Sequence, residues 1–172
     1  MKSNLALALA LFGLGQPAIA QSADPVKCLT IPQAEALVTY LLPKAVDASR
    51  AKCSASLPAT SPLMIDNSRR LAQYRAASES AWPQAKRAVS LLAGEALPPE
   101  IEDALLRPIA DAMFSQLIGQ GIKPKDCVMI DKIYADLEPM PSRNLASLAI
   151  TIVQATAKDD RKPGIPICKA PA

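Results

Sequence analysis

Thr30-Ile31-Pro32-Gln33-Ala34-Glu35-Ala36-Leu37-Val38-Thr39-Tyr40-Leu41-Leu42 begins with a helix start and continues on a helical period. Thr30 takes the N-cap place. Pro32 falls in the first turn, where a missing N–H costs little, and Gln33 stands three residues on, the spacing of a capping box. Ala34, Leu37, Val38, Leu41 and Leu42 recur every three or four residues, which makes one apolar face. Pro43 has no N–H and its ring crowds the preceding turn. The helix is therefore expected to bend sharply or stop there, and to resume at an angle from Lys44 to Ala51.

The same grammar recurs along the chain. Ser61-Pro62 repeats the cap-plus-proline start and predicts a helix from Pro62 to Ser80 with Leu63, Leu71, Tyr74 and Ala77 on its inner face. Trp82-Pro83 reads as a break, followed by a fresh helix carrying Ala85, Ala88, Val89 and Leu92 as far as Gly94. Pro98-Pro99-Glu100 opens another, with Ile101, Leu105, Ile109, Met113 and Leu117 in its stripe, a kink at Pro108, and an end at Gly119 and Gly121. Pro124 to Leu137 forms a further helix. Ser142 caps the last, which bears Leu145, Leu148, Ile152 and Val153. Alternating strand patterns are lacking. The expectation is an all-α fold, a compact bundle of five to six short, proline-kinked helices stapled by two disulfides. The likeness of residues 41–48 to residues 105–112 is put down to abundant Leu and Ala, because the cysteines do not repeat at that offset.

Ahead of these helices, Met1-Lys2-Ser3-Asn4 gives a short positive start and Leu5 to Leu14 an apolar run. Gln16-Pro17 then breaks the run before Ala18-Ile19-Ala20, a small-x-small cleavage site. Residues 1–20 are expected to be a cleaved signal peptide, leaving residues 21–172 as a single helical domain with a polar tail from about residue 158. The apolar run is shorter than the roughly 20 residues of a membrane span, so no stable membrane insertion is expected after cleavage. The compartment is expected to be the periplasm or the cell exterior. In such an oxidising space Cys28, Cys53, Cys127 and Cys168 are expected to form two disulfides. The pairing expected is Cys28–Cys53 and Cys127–Cys168. The second follows from a hairpin of the last two helices across Pro139 and Pro141. The first holds only if the chain turns back sharply near Pro43.

Removing Lys2 with the signal leaves 18 basic and 16 acidic residues. So even a balance, with only Tyr40, Tyr74, Trp82, Phe114 and Tyr134 as aromatics, argues against nucleic acid as a partner. The chain contains no histidine, the commonest general base near neutral pH and the commonest metal ligand. No cysteine pair has zinc spacing, no acidic loop has calcium spacing, and no phosphate-cradling loop occurs, so neither metal nor cofactor is expected. Glu100, Glu102 and Asp103 have an ordinary reason to sit in a first helical turn, where they complement the helix dipole. Lys86 and Ser90 read as a solvated helix face rather than as a catalytic dyad.

The most distinctive charged stretch is Arg69, Arg70 and Arg75, with Trp82 near its edge. Arginine and tryptophan are enriched among interface hot spots. These four residues are the candidate binding residues, and the partner they suit is an envelope protein or another acidic molecule. The functional expectation is an exported, noncatalytic helical protein that binds a macromolecule. The alternatives are a helical carrier of an apolar small ligand, which needs a cavity lined by Leu, Ile and Met, and a histidine-free hydrolase working with carboxylates. Oligomeric state is not legible from the sequence.

Overall fold

The structure is a computed structural model and describes residues 28–65, 68–94, 103–137, 139–156 and 166–168. The expected signal peptide, the Pro98-Pro99-Glu100 helix start and most of the polar tail lie outside these residues. The fold is all-α. Five helices are present among the described residues: α1 Ile31–Cys53, α2 Ser68–Ala93, α3 Asp103–Gly121, α4 Cys127–Asp136 and α5 Ser142–Thr156, with a 3-10 turn over Pro124–Asp126 ahead of α4.

The capping box at the start of α1 forms as its residue types dictate. Thr30 Oγ1 accepts from the Gln33 amide at 3.4 Å, and Gln33 Oε1 accepts from the Thr30 amide at 2.9 Å. The helix then runs 23 residues without interruption, about 34 Å at 1.5 Å per residue. Pro43 neither stops it nor folds it back. Pro83 and Pro108 are likewise carried inside α2 and α3, so the expected break at Trp82-Pro83 does not occur. An interior proline costs about 3 kcal/mol of helix propensity, but the helix on either side of each one is committed by burial. Leu37, Tyr40 and Cys53 are buried on α1, and Trp82, Ala85, Ala88 and Val89 on α2. Pro83 and Pro108 also turn outward, the side on which helices bow most easily.

The start of α2 differs from expectation as well. Residues 61–65 form a turn in which the Ser61 carbonyl accepts from both Met64 and Ile65 at 2.9 Å. The Leu63 amide is drawn away by Asp131 Oδ1 at 2.7 Å. The Ser61-Pro62 pair therefore caps a turn, and the helix begins at Ser68. At the other end α2 stops at Ala93, and Gly94 adopts φ +57°, the left-handed stop that glycine supplies most cheaply.

All four other helices pack against α1. The main core joins Leu29, Leu37, Tyr40, Trp82, Val89, Leu106 and Ile150, and the rings of Tyr40 and Trp82 lie 4.8 Å apart at 40°. A smaller cluster sits at the far end of α1, where Cys53, Leu63 and Cys127 are fully buried. Leu29 and Ile167 form a lone parallel bridge, with the Leu29 amide donating to the Pro166 carbonyl at 2.7 Å and the Cys168 amide to the Leu29 carbonyl at 2.8 Å.

The disulfide pairing is Cys28–Cys168 and Cys53–Cys127, with Cα–Cα distances of 5.0 and 5.5 Å. It replaces the expected Cys28–Cys53 and Cys127–Cys168. The reason is the continuity of α1. Cys28 and Cys53 stand at opposite ends of a rod about 34 Å long, far beyond the roughly 5.5 Å a disulfide spans. Each bridge therefore staples one end of α1 to a later part of the chain.

Candidate functional site

The four residues singled out as a binding face do not share one surface. Arg69 is exposed, and Arg75 is exposed with Asp47 Oδ2 at 3.8 Å. Arg70 is buried: it donates to the Tyr134 carbonyl at 3.2 Å and its guanidinium lies 4.5 Å from the centre of that ring. It is a strut between α2 and α4. Trp82 belongs to the core, at 7% exposure. The Arg70 and Trp82 assignments as contact residues are thus corrected by burial. Asp103, from the acidic helix start, pairs with Lys86. Glu100 and Glu102 lie outside the described residues.

A polar cluster that the sequence did not suggest joins α1, α2 and α3. The Tyr40 hydroxyl donates to Asp111 Oδ1, whose second oxygen meets Lys44 Nζ at 3.0 Å. Arg107 pairs with Glu79 and lies 5.4 Å from the Trp82 ring centre. Ser78 Oγ donates to the Tyr40 carbonyl at 2.8 Å. Burial, and then the bond to the Asp111 carboxylate, push the Tyr40 phenol well above its ordinary value, so it stays neutral. The Arg107 hydrogen bond holds the Glu79 carboxyl below the usual carboxylate range. A phenol held protonated cannot serve as a base, and both acids have cationic partners. This cluster ties helices together and carries no acid–base pair poised for chemistry.

The feature suited to a ligand is a cleft between α1, α2, α4 and α5. Its volume is about 240 Å³, and its walls come from Leu42 and Val46 on α1, Leu63 in the 61–65 turn, Ile130 and Ile133 on α4, and Leu145 on α5, among others. No charged side chain lines it. Three lining residues carry hydroxyls: Ser49, Tyr74 and Tyr134. Ser49 and Tyr134 make no side-chain hydroxyl hydrogen bond within the protein among the described residues. Apolar walls with a few hydroxyls are the usual make-up of a small-molecule site.

No family model, no curated protein and no solved structure matches this chain.

Geometry must therefore supply the functional reading. Among the described residues no three His, Cys, Asp or Glu side chains are grouped to hold a metal ion, and no helix is long and apolar enough to cross a membrane. Two formed disulfides are compatible with an oxidising compartment outside the cytoplasm. The cleft itself was only partly visible in the sequence. Leu42, Val46 and Leu145 sit in helical stripes, but nothing local marks which stripe residues face a gap rather than a neighbour.

Proposed function

We propose that this is an exported, noncatalytic protein that holds a small, neutral, mainly apolar ligand in the cleft between α1, α2, α4 and α5. The observation that carries this reading is the lining: mainly aliphatic, uncharged, and supplied with hydroxyls at Ser49 and Tyr134. An engineered 150 Å³ apolar cavity takes benzene, so about 240 Å³ suits a ligand of roughly ten non-hydrogen atoms. An ionised ligand group would find no countercharge on the lining, which disfavours it strongly. The favoured chemistry is an aliphatic or aromatic body with one alcohol or carbonyl group. The acidic-partner reading draws less support, because two of its four residues are buried.

Titration with n-hexanol, followed by methyl NMR, tests the reading. Saturable shifts are expected at Leu42, Val46, Ile130 and Ile133, and hexanoate should bind at least tenfold more weakly. Ala149→Phe, which fills the cleft from α5, should abolish those shifts while the circular dichroism stays unchanged. Shifts that never saturate, or that persist in the variant, would overturn it.

A further inference from the structure

Resting on the cleft reading proposed above, we infer that Ser49 and Tyr134 are a pair of hydrogen-bond donors for one ligand oxygen, and that the ligand is a carbonyl compound: a small ketone or ester with an unbranched apolar tail. Ser49 shows the point most plainly. A serine or threonine inside a helix often donates to the carbonyl four residues earlier. Thr39, Ser80, Thr151 and Thr156 all do so, at 2.8–3.1 Å. Ser49 does not. Among the described residues it finds no partner, although it is only 9% exposed and lines the cleft. Water serves an exposed hydroxyl, but one this buried is costly to leave unpaired. Tyr134 presents the second hydroxyl without a protein partner, and Arg70 fixes it in place by donating to its carbonyl at 3.2 Å and lying 4.5 Å from its ring centre. Tyr74, the third hydroxyl-bearing residue of the lining, is already engaged within the protein.

The two donors belong to one end of the cleft. Val46, Ile130 and Tyr134 pack against the cluster of Leu63, Cys53 and Cys127, and Ser49 stands about one helical turn before Cys53. Leu42, Ala45, Leu145 and Ala149 also line the cleft but lie outside that cluster, and Leu42 is about 10 Å from Ser49 along α1. A polar head at the disulfide end and an apolar tail toward Leu42 follow from this arrangement. Counting hydrogens selects the head. A carbonyl oxygen has two lone pairs and no hydrogen, so both hydroxyls can donate to it. An alcohol brings a third hydrogen: a chain of three hydroxyls makes two bonds and leaves one hydrogen without an acceptor. A site built around hydrogen bonds rejects analogues on that basis. A carboxylate carries no hydrogen either, but no charged side chain lines the cleft to meet it.

Titration with 2-hexanone and its isostere 2-hexanol, followed by methyl NMR and by the infrared stretch of the ketone carbonyl, tests this. 2-Hexanone should bind about fivefold more tightly than 2-hexanol, the worth of about one hydrogen bond, and its stretch should fall below the value in hexane. Ser49→Ala and Tyr134→Phe should each weaken 2-hexanone binding about fivefold and each return the stretch part of the way. A merely structural role would change affinity and leave the stretch alone. Ser49→Ala suits a helix, so it carries the test should Tyr134→Phe fail to fold. Equal affinity for ketone and alcohol, or a stretch unmoved by the substitutions, overturns the inference while leaving the cleft a ligand site. Saturable binding of neither compound overturns both.

Discussion

Removing the inner bridge with Cys53→Ala and Cys127→Ala separates two jobs that this disulfide performs. The outer bridge, Cys28–Cys168, closes 140 residues, and the inner bridge closes 74 of them. With both formed, the inner one short-circuits its loop and leaves the outer about 66 residues to close. Chain entropy then assigns about 4 kcal/mol to either bridge when the other is kept, with measured values for disulfides usually about 2–4 kcal/mol. Urea denaturation of the two double-alanine proteins should therefore show similar losses. Ligand affinity should not. The inner bridge anchors the start of α4, which supplies Ile130, Ile133 and Tyr134 to the cleft. Its removal should weaken n-hexanol binding severalfold even under conditions where the protein stays folded. Removal of the outer bridge, at the opposite end of α1, should leave binding within a factor of two. Equal loss of affinity in both proteins would refute the idea that α4 is held as a cleft wall. A stability change below about 1 kcal/mol for the inner pair would refute the loop argument.

Two further outcomes follow from single residues. Tyr40→Phe removes the donor to Asp111 and should cost about 1.5–3 kcal/mol, the range for a bond to a charged group. The phenol's raised value in the fold means the native state holds that proton more tightly, so the wild type should lose stability as pH climbs past about 10, where the unfolded phenol ionises. Denaturation at pH 8 and pH 11 should show that decline shrink in the variant, and an undiminished decline would place its origin elsewhere. Gly94→Ala meets no atom within 4 Å of the added methyl, so its whole cost is the left-handed backbone, about 1–2 kcal/mol. A melting temperature unchanged by this substitution would show that α2 ends in some other way.

The helical architecture was legible because apolar residues fall at helical spacing and Thr30 with Gln33 marks a start, both properties of neighbours in sequence. Proline was overread. Pro43, Pro83 and Pro108 each break local rules, yet long-range burial of Tyr40, Trp82 and Leu106 holds the helices through them. The disulfide pairing follows from the same continuity of α1, since Cys28–Cys53 requires a hairpin at Pro43. The arginines failed for a different reason. Arg69 and Arg70 are adjacent, about 100° apart around the helix, and only the position of α4 decides that one meets water and the other Tyr134. The Tyr40–Asp111 contact joins residues 71 apart. No spacing rule reaches that far.

The Leu29–Ile167 bridge and the disulfide beside it join the stretch before α1 to the stretch after α5, so the chain between them is a closed ring. A protease that nicks the ring once releases nothing. Even cuts at both Leu57 and Met140 would leave three pieces bound as one molecule, because Cys53–Cys127 and Cys28–Cys168 connect them in series. A pair of cuts between Cys53 and Cys127 frees a segment from covalent attachment, and one carrying α2 and α3 would still have its apolar face packed on α1, whereas one cut within α1 and one between Cys127 and Cys168 divide the molecule into two. A single nick anywhere between Cys28 and Cys168 is therefore visible only after reduction.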